Sequence, residues 1–599
     1  MLLGGFAEAL FLAVKLFQMK TLFLLLIAAT SGSFTHAQIL EKRTFGDIVE
    51  TPSGSRAAIL VDFNNDTYLD VFISNGTSGG ENNLLYLNNG DGTFTSISND
   101  ASQDNTPSDG ASAADYQNDG WIDLAVVNWY GVDNLLYENS ASTSLAMNLV
   151  DTSIVSNDFG FSEASSWGDY DNDGYVDLYV TNSAGNDKNA LYRNLGNGTF
   201  EKQSGISPVE DTYFSRSVNW VDFDNDKDLD LFVSNEGLQN NNLYVNDGLG
   251  NFAALSGDTI ISDNFSSFTS SWADVDNDGD LDLFVGNYQA ANQLFLNDGN
   301  GQFSAGSGPW DGTPNCTFSS SFADYDNDGD KDLFITNGFC ASNLTNVLYQ
   351  NNGGVFTEVM NEPISVDLGS SYGCSWGDIN NDGFLELLVA NWQNETQVNT
   401  LYDNNGNGNN WIKIHLEGTV SNHSAIGARV RVLSTINGVP TWQLHEVTTQ
   451  SGYCSQNSLV AHFGIGDAST IDSVLVDWPS GISDTLLGAS SNQFYALIEG
   501  ENWGVAETNE MHLDKGKFEV YPNPVTNSEL VIRCDNSKQS LIEVQLLALD
   551  GKVVQSCREI ETFDNNIVLK INRNIDNGAF VLKLIYETEA IGVPLILAR

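Results

Sequence analysis

An acidic nine-residue loop, written Asp-x-Asn/Asp-x-Asp-Gly-x-x-Asp in its fullest form, occurs seven times along the 599-residue chain. The copies begin at Asp62, Asp115, Asp169, Asp222, Asp274, Asp324 and Asp378, at intervals of 53, 54, 53, 52, 50 and 54 residues. So constant a period marks a repeat architecture in which each copy is one supersecondary unit. A Ser/Ala-rich apolar run precedes each loop, as in Ser270 to Ala273, and a second run ending in Asn follows it, as in Leu283 to Asn287. A third run of the form Leu-Tyr/Phe-x-Asn and a Gly-rich turn ending in Phe complete the unit, as in Leu294 to Phe303. Four short aromatic and branched runs between Gly/Asn/Asp turns read as four strands, with no competing helical period. Seven four-stranded units predict an all-β, seven-bladed β-propeller over residues 38–407, within the range in which radial repetition protects sheet edges. Glu41 to Val49 is a candidate strand for completing the last blade.

The oxygens of each loop fall at positions 1, 3, 5 and 9. They are Asp62, Asn64, Asp66 and Asp70 in loop 1; Asp115, Gln117, Asp119 and Asp123 in loop 2; Asp169, Asp171, Asp173 and Asp177 in loop 3. Loop 4 has Asp222, Asp224, Asp226 and Asp230; loop 5 Asp274, Asp276, Asp278 and Asp282; loop 6 Asp324, Asp326, Asp328 and Asp332; loop 7 Asp378, Asn380, Asp382 and Glu386. Alternating oxygens on a short turning segment suit a hard cation with six to eight oxygen ligands, which points to Ca²⁺, up to seven per chain. Zinc and copper would require His or Cys, which these loops lack. Asp-Gly and Asn-Asp also build turns unaided, so a single copy would leave a metal-free hairpin equally open. Loops 3, 5 and 6 are complete; loop 1 has Thr67 and loop 4 has Lys227 where Gly is expected, making these two the weakest sites.

These residues resemble the FG-GAP or VCBS-type repeat of integrin-like propellers, over about residues 45 to 407. The resemblance implies calcium hairpins on one face and ligand docking on the opposite face. Trp129, Tyr130, Tyr288, Phe339 and Trp392 would then lie opposite the metals. Such aromatic side chains stack on sugar rings or anchor a protein partner, or else pack around the channel and between blades.

After Asn407 the period stops. Residues 408–500 alternate as strands and contain, in order, Trp411 to Gly418, Ser421-Asn422 with Ala425 to Val430, Gly452-Tyr453 with Ser455 to Ser458, His462 to Gly466, and Val476 to Gly481. These blocks look like the ASPIC/UnbV module, which follows the same repeats in the cartilage acidic protein family. Arg429, Gln456 and His462 read either as a polar site or as turn and core-edge partners. Beyond a linker at 501–516, residues 517–599 carry Tyr521-Pro-Asn-Pro524 and Asp550-Gly-Lys552 among alternating strands, which suggests a small Ig-like β-sandwich. This segment is similar to the C-terminal sorting domain of the type IX secretion system. The resemblance implies passage through that machinery and release or attachment at the outer surface of a Gram-negative bacterium.

The N-terminus fits this route. Lys20, the apolar run Leu22 to Ala29 and the small residues near Ala37 read as a signal peptide over 1–37, with Met19 as the natural start. No transmembrane segment is expected in the mature chain, since that run is short for a span. The net charge of -55, from 79 acidic against 24 basic residues, excludes a nucleic-acid partner because phosphate binding needs a basic surface. Six cysteines form no zinc or redox motif; Cys316 with Cys340 or Cys374, and Cys534 with Cys557, are candidate pairs in an oxidising compartment.

Three functional classes remain, the last being a purely structural cell-envelope component, which would show no saturable ligand binding. The first is a secreted or surface-bound, monomeric calcium-binding module for a glycan or protein ligand. The second is a polysaccharide lyase or glycoside hydrolase on the same scaffold, which needs a placed acid, base or charge neutraliser. Residues 51 to 410 contain no His and only seven basic residues. With acids committed to every loop, no catalytic pair stands out, so recognition ranks first.

Overall fold

A computed structural model describes residues 38–505 apart from 141–144, 185–187, 263, 341–344, 393–396 and 502, and only the strands thereafter. The signal peptide, the Tyr521-Pro-Asn-Pro524 block beyond Tyr521 and the Asp550-Gly-Lys552 block lie outside the described residues. The described residues are almost wholly strand, with one short α-helix at Asp47–Glu50 and several one-turn segments. No helix among them is long and apolar enough to cross a membrane.

Each acidic loop joins the first and second strands of an antiparallel sheet. In the third repeat, Ser162–Gly168, Asp177–Asn182, Ala190–Asn194 and Phe200–Lys202 pair in chain order. Gly168 stands opposite Asp177 at the loop end and Ser162 opposite Asn182 at the other. A bulge interrupts the register near the start of the first strand in every repeat. The first strands are rich in Ser, Ala and Gly and almost completely buried. Small side chains are required there because these strands crowd together: each contacts the next, and Ser55–Val61 contacts Ser371–Gly377, closing the propeller-like arrangement.

The closing sheet takes its outer strand from the chain start. Leu40–Lys42 pairs with Thr400–Asn404, Leu40 opposite Asn404, so the strand expected within Glu41 to Val49 begins earlier and ends at Lys42. The fifth and sixth sheets are further joined where Tyr288 pairs with Cys316, and Cys316 forms a disulfide with Cys340, leaving Cys374 free and buried.

Residues 410–505 form two more four-stranded sheets. Asn410–Glu417 lies between Ala461–Gly466 and the parallel Gln493–Ile498, while Arg429–Ile436 lies between Val439–Glu446 and Thr470–Asp477. Alternate residues Ile412, Ile414, Val430, Val432, Phe463, Val474 and Val476 bury between the sheets with Trp478. The strands from Phe518–Tyr521 to Ala590–Leu597 form two further four-stranded sheets.

Candidate metal centre

The nine-residue loop folds because its own side chains bind its backbone N–H groups. The carboxylate at position 1 accepts the N–H groups of positions 5 and 6, as in Asp274 with Asp278 (3.1 Å) and Gly279 (3.0 Å). The position 5 carboxylate caps position 7, as in Asp278 with Asp280 (3.1 Å). Position 9 accepts the N–H of position 2 on one oxygen and that of a following strand's Asn on the other; Asp282 takes Val275 (3.0 Å) and Asn297 (2.8 Å). Position 4 is Asn in all seven copies, at φ between 54 and 64°, a region Asn tolerates. Its side-chain amide reaches the next loop: Asn65 donates to Gly120 O, Asn118 to Gly174 O, Asn327 to Gly383 O and, across the closure, Asn381 to Thr67 O. These Asn residues, which the sequence pattern offers only as turn formers, tie one repeat to the next.

Several loop carboxylates are gathered in tight clusters, with Arg193 answering Asp171 (2.6 Å) and Asp173 (2.9 Å) in loop 3 and Arg429 answering Asp222 (2.9 Å) in loop 4. Oxygens of Asp169, Asp171 and Asp177, of Asp222, Asp224 and Asp226, of Asp274, Asp276 and Asp282, and of Asp324, Asp326 and Asp332 lie within 4.8 Å of one another. Buried Oδ1 atoms of Asp171, Asp224 and Asp276, all at position 3, accept no hydrogen bond, nor does Oδ2 of Asp230. Burial pushes Asp169 and Asp274 up to about 7 and Asp282 to about 8, with neighbouring carboxylates adding to the shift. Converging, desolvated oxygens with unused lone pairs fit an oxygen-seeking divalent cation.

Loops 1, 2 and 7 are built differently. Among the described residues they hold no comparable three-carboxylate cluster, because position 3 is an amide. Asn64 turns its NH₂ to Asp66 (2.8 Å), Asn380 donates to Asp382 (3.0 Å), and Gln117 donates to the Tyr116 hydroxyl (2.9 Å). Loop 4, expected to be weak, keeps its cluster despite Lys227, which sits at φ 77°.

Residues 62–126, 169–233, 222–285 and 274–335 match the FG-GAP-like repeat, and residues 418–503 match the ASPIC and UnbV family. The chain carries FG-GAP-like repeats and an ASPIC/UnbV domain. It is similar to cartilage acidic protein 1 of Mus musculus, at 28% identity over 318 residues covering 51% of this chain and 40% of that one. The Homo sapiens protein is also 28% identical, with 39% of it covered. The chain thus spans about two fifths of the length of these curated relatives. A crystal structure of a protein from Lactobacillus plantarum aligns with TM-score 0.35 and 13% identity, covering 52% of this chain and 85% of that one.

The ASPIC/UnbV domain sends residues 449–458 between the first strands of the FG-GAP repeats. The Thr449 hydroxyl accepts Trp167 N–H (2.8 Å), Gln456 exchanges two hydrogen bonds with the Ala113 backbone, the Ser455 hydroxyl accepts Ala58 N–H (3.0 Å) and Asn457 accepts Trp376 N–H (2.9 Å). A side chain at Gly452 would meet Ser320 O at 2.0 Å, so only Gly passes there. Tyr453 is fully buried and donates to Glu163. The role of this Gly-Tyr-x-Ser-Gln-Asn block is not legible in the sequence, because its partners lie in distant repeats. Arg429, Gln456 and His462 do not converge on a shared site: they bind Asp222, Ala113 and Gly383 O respectively.

The candidate ligand residues lie at the ends of the FG-GAP sheets away from the acidic loops. Trp129 packs edge-on against Tyr130 and Phe161 and donates to Ser183 (3.0 Å), while Tyr130 is exposed. Tyr288 stacks on Phe268, and Trp392 packs against Phe339 and Tyr372. Beside them stand two cations that no sequence motif marks. Arg56 pairs with Asp109 (3.4 Å) and lies over the Tyr372 and Trp392 rings; Arg216 pairs with Glu163 (2.6 Å) and Glu236 (2.9 Å) and lies over Phe268. Four of the charged residues around this mouth, Arg56, Asp109, Glu163 and Arg216, occupy the second position of the bulged first strands.

Proposed function

We propose that this protein is an exported calcium-dependent recognition module. In this reading a seven-bladed propeller holds Ca²⁺ in its acidic loops and presents the aromatic and arginine-lined opposite end to a glycan or protein ligand. The observation that carries the metal reading is the set of buried, unbonded position 3 oxygens of Asp171, Asp224 and Asp276 inside carboxylate clusters. The ligand reading draws on Trp129, Tyr130, Tyr288 and Trp392, with Arg56 and Arg216, whose buried Nε atoms lack hydrogen-bond partners. Aromatic faces beside guanidinium groups suit sugar rings and their hydroxyl or carboxylate substituents. The C-terminal strands read as an Ig-like sandwich serving type IX secretion. The mature chain acts as a monomer, released or held at the outer surface of a Gram-negative cell.

Calcium binding is tested by equilibrium dialysis of the full chain, and recognition by a glycan array with calcium and with chelator. Calcium-dependent, saturable binding that Trp129→Ala and Trp392→Ala each weaken tenfold or more, with little change in melting temperature, supports recognition at this end. Unsaturated or hydrolysed products from a bound glycan would replace this reading with that of an enzyme.

A further inference from the structure

The ASPIC/UnbV domain touches three of the acidic loops in the same way. In loop 7, Lys413 Nζ lies 2.6 Å from Asp378 Oδ2 and 2.6 Å from Asn381 Oδ1. In loop 4, Arg429 Nη1 lies 2.9 Å from Asp222 Oδ2 and donates to Asn225 Oδ1 as well. In loop 2, His423 Nδ1 lies 3.1 Å from Asp115 Oδ2, and the backbone N–H of the same residue donates to Asn118 Oδ1 (2.9 Å). Each contact uses the position 1 carboxylate and the position 4 amide oxygen. Three donors from one domain, spaced over Lys413 to Arg429, therefore read one recurring pair of acceptors.

Among the described residues, the remaining loops lack this arrangement. Loop 6 meets the same domain through Gly464, where a Cβ would stand 2.2 Å from Asp324 Oδ2, so backbone and not a side chain approaches that carboxylate at this position. Among the described residues, loops 3, 5 and 6 combine a carboxylate cluster drawn from positions 1, 3 and 9 with freedom from a cation of this domain; in loop 3 Arg193 of the same repeat pairs with Asp171 (2.6 Å) and Asp173 (2.9 Å) but leaves Asp171 Oδ1 unbonded. In loops 2 and 7 the position 3 amide has already removed one carboxylate, and in loop 4 the cluster leaves out Asp230.

We infer that the repeats divide the acidic loops between two kinds of counter-ion. Loops 3, 5 and 6 take Ca²⁺, while loops 2, 4 and 7 are docking sites whose cations are His423, Arg429 and Lys413. A +2 ion beside these side chains would meet direct repulsion at a position 1 carboxylate that is already paired, whereas Arg193 in loop 3 pairs with positions 3 and 5. The domain therefore docks through loops that look like metal sites but do not need metal. This division rests on the calcium reading given above. Loop 1 has neither a three-carboxylate cluster nor a cation of this domain and adds at most one ion.

The test is the number of Ca²⁺ ions bound per full-length chain at saturation, measured by equilibrium dialysis. Three or four ions are expected. Asp276→Asn should lower the count by one, and Asp382→Asn in loop 7 should leave it unchanged. Five or more ions, one or two ions, or the reverse response of the two variants would overturn the division while leaving calcium binding intact. A count of zero would instead overturn the calcium reading itself. Neither variant needs to preserve ligand binding, and the wild-type count stands if one fails to fold.

Discussion

Asp274 and Asp378 begin the same nine-residue turn, accept the same two backbone N–H groups, and are both buried. Around Asp274 the other oxygens come from Asp276 and Asp282, and one Asp276 oxygen has no hydrogen-bond partner. Around Asp378 the third position is Asn380, and the Lys413 ammonium from the next domain is within 2.6 Å. One backbone design thus serves two electrostatic solutions. A turn stabilised by its own Asx-type hydrogen bonds keeps its shape with either counter-ion, so the choice falls to position 3 and to what packs outside the loop.

Chelation should have the largest effect. A site held at a hundredfold above its Kd adds about 2.7 kcal/mol, so three sites add roughly 8 kcal/mol. For a domain of this size that corresponds to a fall of on the order of 15 °C in melting temperature when EDTA replaces calcium. Calorimetry with and without chelator checks it, and an unchanged transition would leave the clusters around Asp274 and Asp324 as turn structure only. The next largest effect separates the two kinds of loop. Lys413 and Asp378 have side chains only 4% and 3% exposed, so Lys413→Met leaves a buried, uncompensated carboxylate at a cost of about 3–5 kcal/mol. That loss should persist in chelator and be partly restored by adding Asp378→Asn. Asp276→Asn should show the opposite dependence, lowering the melting temperature in calcium and raising it in chelator.

How much of this the sequence disclosed depends on whether the determinant is local. The loop period, its strands and the acids at positions 1, 3, 5 and 9 are local, so the all-β repeat and the Asp274-type clusters were legible. The contrast between Asp276 and Asn380 was visible as well, but its meaning was not. The cations answering loops 2, 4 and 7 lie 308, 207 and 35 residues away, as His423 to Asp115, Arg429 to Asp222 and Lys413 to Asp378. No periodicity links them. For the same reason Gly452 to Asn457 read as a family block, although it fills the space among the first strands. Arg56 and Arg216 are two of the seven basic residues in 51–410, and only the closed arrangement places them at one mouth with Tyr453.

Tyr453 provides the next smaller test, at the end of the sheets far from the loops. Its hydroxyl donates to Glu163, a buried carboxylate also held by Arg216. Tyr453→Phe keeps the packing against Phe318 and Tyr372 but removes one partner of that carboxylate, which costs about 1–3 kcal/mol. The denaturant midpoint should fall equally in calcium and in chelator. A calcium-dependent difference would show that the two ends of the sheets are energetically coupled and that the comparison of loops cannot be treated as local.

The smallest expected effect concerns protons at the boundary between the repeats and the ASPIC/UnbV domain. Burial pushes both His445 and His462 down to about 3, and His462 bonds Gly383 O at 3.0 Å from within the loop 7 contact. The unfolded chain takes up these protons near pH 6.5 while the folded chain stays neutral, so stability is lost as pH falls from about 6.5 toward 3. At pH 5.5 the loss is about 1.4 kcal/mol for each imidazole. Denaturant titrations at pH 7.5 and 5.5 in saturating calcium, which keeps the carboxylates of loops 3, 5 and 6 ionised, should show a net drop smaller than the sum for the two imidazoles. The reason is His423, which despite its burial is raised to about 9 by Asp115 and Glu417 and so gains stability over the same interval. His462→Gln should shrink the drop by about 1.4 kcal/mol. If His462→Gln leaves the pH dependence whole, the ASPIC/UnbV domain releases from loop 7 before His462 protonates, and Lys413 is the weaker of the two counter-ions compared here.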